Sequence, residues 1–238
     1  MADYMYSISP EVFAKYPGYV RGVVLAYDVV NGESPAELIA LMRTAEEQLR
    51  VNLKLEGLAE HPRFRSWREA FRAFGAKPSE FRPSIEALVR RVLHGDPLPS
   101  INTLVDLGNL VSIQCLVPTG GHAIDRLNGD ITLCPAFGDE VFVPFGSDQP
   151  EAPLKGEIIF TEGKTVLTRR WAWRQSNHTL TLPSTTAIEF NVDGLPPVPV
   201  EEVEQVCELL SGLVTRFCGG KIRWELLTAE HPALNLAP

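Results

Sequence analysis

The order in which the periodicities occur constrains this chain most. From 131 to 192 the sequence breaks into short stretches rich in β-branched and aromatic residues, at 131–134, 140–145, 157–162, 165–173 and 185–192, divided by turn formers. Helical spacing flanks that block instead of alternating with its members. Leu38, Leu41, Met42, Ala45 and Leu49 recur with a helical period, as do Ile85, Leu88, Val89, Val92 and Leu93. Val203, Val206, Leu210, Leu213 and Phe217 repeat the pattern beyond the block. Strands that alternate with helices build doubly wound parallel sheets, whereas strands grouped together do not. The expected fold is α+β, a mixed or antiparallel sheet flanked by helices.

Local signals sharpen the outline. The stretch 19–27 reads as a strand, and Ser34-Pro35-Ala36-Glu37 as a capped helix start. Phe64, Trp67, Phe71 and Phe74 form an apolar stripe that belongs in a core. Pro83-Ser84 opens a further helix that Gly95 closes, and another begins near Asn102. On that helix Asn102, Asp106 and Asn109 share one face, a polar stripe that must meet water, a cap or a site. Glu162-Gly163-Lys164 predicts a tight hairpin, Gly219-Gly220 ends the last helix, and Ile222, Trp224 and Leu226 alternate as a strand. The tail from His231 is expected to be loose. With no linker or repeat, 1–238 reads as one domain.

Composition excludes several classes. No apolar run approaches the roughly 20 residues needed to cross a membrane. The N-terminus has no basic and apolar leader, so a cytoplasmic protein is expected. Cys115, Cys134, Cys207 and Cys218 form no CxxC pair and read as reduced, buried residues. The net charge of −8 argues against bulk electrostatic binding of nucleic acid, although 63–91 carries eight basic residues against three acidic ones. Those arginines read either as a solvated face or as an RNA groove.

The chemistry concentrates in Pro118-Thr119-Gly120-Gly121-His122-Ala123-Ile124-Asp125. No phosphate loop, GxGxxG or GxSxG motif is present. Gly120-Gly121 allows positive φ and bares backbone N–H groups, and His122 can move a proton near neutral pH. A glycine turn with a histidine fixed by hydrogen bonds is an equal reading. His122 and Asp125 lack a third ligand at metal spacing, so no metal is expected.

Asn102, Val105-Asp106, Asn109, Pro118, His122-Ala123-Ile124-Asp125, Gly129-Asp130-Ile131, Ala136 and Gly138 follow one another in a recognisable order. The pattern resembles the B3/B4 domain of the phenylalanyl-tRNA synthetase β subunit, and Thr185-Thr186-Ala187-Ile188-Glu189 resembles its later T..ILLE strand. The likeness is closest over about 84–190, and the whole chain looks like a free-standing version of that domain. Gly108 stands where the synthetase usually has Thr, and Trp173-Arg174-Gln175 occupies the region of its Gly-Gly pocket strand.

The resemblance implies a trans-acting aminoacyl-tRNA deacylase that hydrolyses a mischarged ester with a positioned water, without cofactor or covalent nucleophile. By position, His122, Glu189 and Asn109 become the catalytic candidates. Gly120, Gly121, Asp106, Arg174 and Gln175 become substrate-binding candidates, the glycine amides facing the ester carbonyl. Arg169, Arg170 and Arg174 either receive tRNA phosphates or pair with the protein's own carboxylates. The implied partner is a mischarged tRNA, weakly bound because the protein is acidic. A non-catalytic module for a free amino acid or for tRNA is the alternative.

Overall fold

The computed structural model describes residues 3–238. Its elements, in chain order, are β1 (Met5–Ile8), α1 (Pro10–Lys15), β2 (Val20–Tyr27), α2 (Ala36–Asn52), α3 (Pro62–Ala73), α4 (Ser84–Leu93), α5 (Thr103–Cys115), β3 (Thr119–Ala123), β4 (Ile131–Pro135) and β5 (Ile158–Glu162). There follow β6 (Thr165–Arg169), β7 (Arg174–Gln175), β8 (Ala187–Gly194), α6 (Val200–Cys218), β9 (Lys221–Leu227) and β10 (Ala233–Asn235). The fold is α+β. The described residues form two sheets: a mixed one ordered β10-β1-β4-β5-β6-β7 and an antiparallel one ordered β3-β8-β2-β9. Only the β1–β4 pair of the mixed sheet is parallel.

The sheets pack face to face, and the helices cover the other side of the antiparallel one. Along β2, Val20, Gly22, Val24 and Ala26 turn to the helices while Arg21, Val23 and Leu25 turn to the mixed sheet, as strand alternation requires. Helix α6 lies against β2 and β9, and α5 against β3. The approach at Gly22 is close: a Cβ there would lie 2.1 Å from Cys207 Sγ. The far side of the mixed sheet carries a small second core of Ala136, Phe142, Ile159 and Val166, built by the long connection from β4 to β5.

Several expectations are corrected. Ser34 does not cap α2; its hydroxyl donates to Asp106 Oδ2 at 2.6 Å. The stretch 140–145 makes only isolated bridges, and 165–173 is broken after Arg169 because Arg170 and Trp171 take left-handed conformations. Gly120 and Gly121 lie within strand β3 and do not form a turn. The tail is not loose: β10 pairs with β1 through Met5↔Asn235 and Tyr6↔Leu234. Strands β1 and β10 are too short to display a period, so their pairing is a tertiary event. No helix among the described residues is long and apolar enough to cross a membrane.

Gly22→Ala should therefore be overpacked. We expect it to lower stability by about 1–3 kcal/mol in a denaturant titration. Adding Cys207→Ala, which removes the clashing sulfur, should recover part of that loss.

Candidate active site

Strand β8 carries the polar groups of the site in a strict alternation. Ile188, Phe190 and Val192 face the helices, while Glu189, Asn191 and Asp193 face the mixed sheet and are buried. The neighbouring strands complete the row: Arg21 of β2 sits opposite Asp193, and His122 of β3 opposite Glu189.

These groups form a continuous hydrogen-bonded seam between the sheets. Arg21 Nε and Nη2 donate to Asp193 Oδ1 at 2.9 and 2.6 Å, and Tyr19 donates to the same oxygen at 2.5 Å. Arg21 Nη1 donates to the Tyr6 hydroxyl at 2.6 Å, and Tyr6 donates to Asn191 Oδ1. Asn191 Nδ2 donates to Glu189 Oε1 at 3.2 Å, the oxygen that also meets His122 Nδ1. His122 Nε2 lies 2.9 Å from Thr168 Oγ1 on β6. The tautomer with its proton on Nδ1 would donate to Glu189 and turn the Nε2 lone pair to the Thr168 hydroxyl. Glu189 is 0 % exposed, and its Oε2 has no partner among the described residues.

Burial pushes the Tyr6 and Tyr19 hydroxyls well above the ordinary phenol range, with Arg21 opposing the shift. For Arg21 itself, burial favours loss of the proton, but Asp193 and the two tyrosines hold the guanidinium above its usual value.

Thr168 reaches the seam through a bulge. Phe160 pairs with Thr168 but Thr161 pairs with Val166, leaving Leu167 as the extra residue. Without it Leu167 would stand opposite Phe160 and Thr168 would point to the far side of the sheet. The seam ends at a cavity of about 130 Å³ whose walls include Gly120, His122, Thr168, Trp171, Trp173 and Asn191. A side chain added at Gly120 would meet nothing within 4 Å. Trp171 is held in its left-handed conformation by edge contacts to Tyr16, Tyr19 and Trp67, at 4.8, 4.8 and 5.2 Å between rings. Ser84 N–H bonds the Ala172 carbonyl at 2.7 Å, tying this wall to α4.

The sequence-derived candidates divide. His122 and Glu189 are in contact. Asn109 lines an adjoining cavity of about 360 Å³, which shares Gly120, Gly121, Trp173 and Gln175 with the first. Gln175 is occupied with the Gly121 and Thr179 carbonyls, at 3.0 and 2.9 Å. The Gly121 carbonyl is turned to the outer edge of β3, so its N–H lies on that edge too, while Gly120 is committed to Asn191 in the ladder. One glycine amide, and not two, is thus available to a ligand.

Asp106 is corrected from substrate binding to a structural role. It is fully buried and accepts from Ser34 and Ser100 hydroxyls at 2.6 Å each and from Ile101 N–H at 3.0 Å. Asn102 caps α5 through Val105 N–H at 3.1 Å. The polar stripe of α5 is thus two structural anchors and one cavity residue.

Of the two readings open for the arginines, Arg169 follows the internal one. Arg169 is buried on Glu157, at 2.8 and 2.9 Å, and on Glu151 at 2.7 Å. Arg170 is buried between the Phe81 and Trp173 rings, 3.6 and 4.3 Å from their centroids. Arg174 alone of the three is exposed, and it donates to the Phe145 carbonyl at 3.0 Å beside the cavity. The basic stretch 63–91 is also largely satisfied internally, with Arg68 and Arg90 on the buried Glu86 and Arg63 on Glu202.

Sequence reasoning missed Thr168, Asn191, Asp193, Arg21 and Tyr6. For Asn191 and Asp193 a signal existed: polar residues at every second position after Glu189. For Thr168 there was none, because the bulge changes the face it occupies.

The B3/4 domain family profile matches residues 66–230, and the chain belongs to that family. Among solved structures, it is similar to an N-terminal fragment of the phenylalanyl-tRNA synthetase beta-subunit from Pyrococcus horikoshii. Identity is 12 % and the TM-score 0.47, over 92 % of this chain and 50 % of that one. The chain thus spans half the length of that fragment. A search of curated proteins finds no match.

The raised tyrosines make stability depend on alkaline pH. Both hydroxyls stay neutral in the fold, so their contribution is intact below the unfolded value of 10.0 and is lost as pH rises above it. Thermal melts should show the midpoint declining above pH 10, and Tyr6→Phe should make that decline shallower while lowering stability throughout.

Proposed function

We propose that the protein is a trans-acting hydrolase of aminoacyl esters on mischarged tRNA. The observation that carries this reading is the His122 imidazole held between Glu189 and Thr168 at the wall of a cavity. Membership of the B3/4 domain family supports a tRNA-related role.

An aminoacyl ester is an activated acyl group, so modest catalysis suffices. The site must bring a hydroxyl to the carbonyl carbon, remove its proton, and steady the oxyanion. His122 Nε2 is the base. Glu189 holds the ring orientation and stabilises the imidazolium that forms, as a carboxylate behind a catalytic histidine does. The Gly121 N–H on the outer edge of β3 is a donor for the carbonyl oxygen. Asn109, in the adjoining cavity, contacts the amino acid or its ribose and does not act as a proton carrier.

The three-arginine phosphate face narrows to Arg174. Affinity for tRNA is therefore low, in keeping with a net charge of −8, and discrimination rests on the amino acid.

His122→Ala and Glu189→Gln should each lower deacylation by about 10²–10⁴-fold without unfolding the protein. Asn109→Ala should raise KM more than it lowers kcat. The test is a time course on a panel of mischarged tRNAs, with circular dichroism to confirm folding. Hydrolysis retained by both His122 and Glu189 variants would refute the site. Absence of turnover by wild type, with free amino acid bound instead, would favour the binding module.

A further inference from the structure

We propose that Thr168 Oγ1 is the nucleophile of a Thr168–His122–Glu189 triad, and that the acyl group passes through an ester on Thr168. This deepens the ester-hydrolase reading and rests on it for the natural substrate.

Three observations carry it. First, the hydrogen bonds run in the order a triad needs, with the carboxylate on Nδ1 and the hydroxyl on Nε2, 2.9 Å away. Water could reach the lone pair of Nε2 only by displacing Thr168. Second, the exposure is graded. Glu189 is 0 % exposed and His122 2 %, whereas Thr168 is half-buried and lines the cavity. A substrate entering the cavity therefore meets the hydroxyl ahead of the base. Third, the bulge at Leu167 turns Thr168 to the inner face beside Phe160, whose ring lies 5.0 Å from His122. Bulges beside active sites re-aim side chains in this way.

The reaction balances with water as the sole co-reactant. Thr168 Oγ1 attacks the ester carbonyl carbon as its proton passes to His122 Nε2. The tetrahedral adduct collapses, breaking the bond to the ribose oxygen, which takes that proton and leaves. Water then attacks the acyl-threonine, giving a proton to Nε2. Collapse of the second adduct releases the acid and returns the proton to Thr168 Oγ1.

The test combines two substrates with Thr168→Ala and Thr168→Ser. Intact protein is treated with p-nitrophenyl acetate, acid-quenched and peptide-mapped by mass spectrometry. The same proteins are assayed on mischarged tRNAs. We expect an acetyl group on Thr168, retained on the serine of the second variant and absent from the first. Deacylation of tRNA should fall ~10²-fold or more in Thr168→Ala and persist in Thr168→Ser. Wild-type tRNA turnover by folded Thr168→Ala would overturn the nucleophile while leaving the hydrolase reading intact. Acetylation of His122 in place of Thr168 would also overturn it. Thr168 acetylation without any tRNA turnover would support the triad and remove tRNA as its substrate, whereas failure of both reactions would overturn both.

Discussion

The buried pair of Arg21 and Asp193 is the interaction on which the site depends. A guanidinium between two sheets costs several kcal/mol unless its donors are met, and here each of its three nitrogens donates to a named partner. Its second partner, the Tyr6 hydroxyl, can reach it only if β1 is in register with β4, so the charge ties the mixed sheet to the antiparallel one. Tyr6 then orients Asn191, and Asn191 steadies the Glu189 carboxylate under His122. Local errors in register would leave a charge unpaired. That penalty gives the face-to-face packing a defined position which apolar contacts alone would not select.

The candidate site lies at the end of this seam because the sheet there has an edge. Strand β3 is outermost, so one side of its backbone is free of ladder partners and faces the 174–181 segment instead. Gly120 adds no side chain to the cavity, while Gly121 faces the helices, where a Cβ would lie 2.8 Å from the Glu189 carbonyl. The adjacent glycines therefore serve different purposes. One leaves room for a ligand, and the other lets β3 close against β8. The opposite wall is fixed by the left-handed Trp171, a conformation costly for a bulky residue and sustained here by three aromatic neighbours.

Much of the fold was legible because periodicity reports burial directly. β2, the β5–β6 hairpin, α4, α6 and β9 follow their apolar patterns, and Asn102 caps α5. What was illegible depended on distant partners. Asp106 looked like a site residue because its structural partners, Ser34 and Ser100, lie outside the α5 helix. Arg169 could be read as a phosphate ligand or as an internal ion pair because Glu157, the carboxylate that claims it, stands twelve positions away. His122 and Glu189 were legible through a motif, but their contact is a matter of β3–β8 register. Thr168 was hidden by a single inserted residue.

In the proposed mechanism His122 presents a bare Nε2 to a hydroxyl because Glu189 holds its proton on Nδ1. Nitrogen-15 NMR of the His122 imidazole, recorded at the pH of the hydrolysis assay, tests that claim without any substrate. A protonated Nδ1 and an unprotonated Nε2 are expected, with the preference lost in Glu189→Gln. A proton on Nε2, alone or together with one on Nδ1, would contradict it, because no base would then face Thr168.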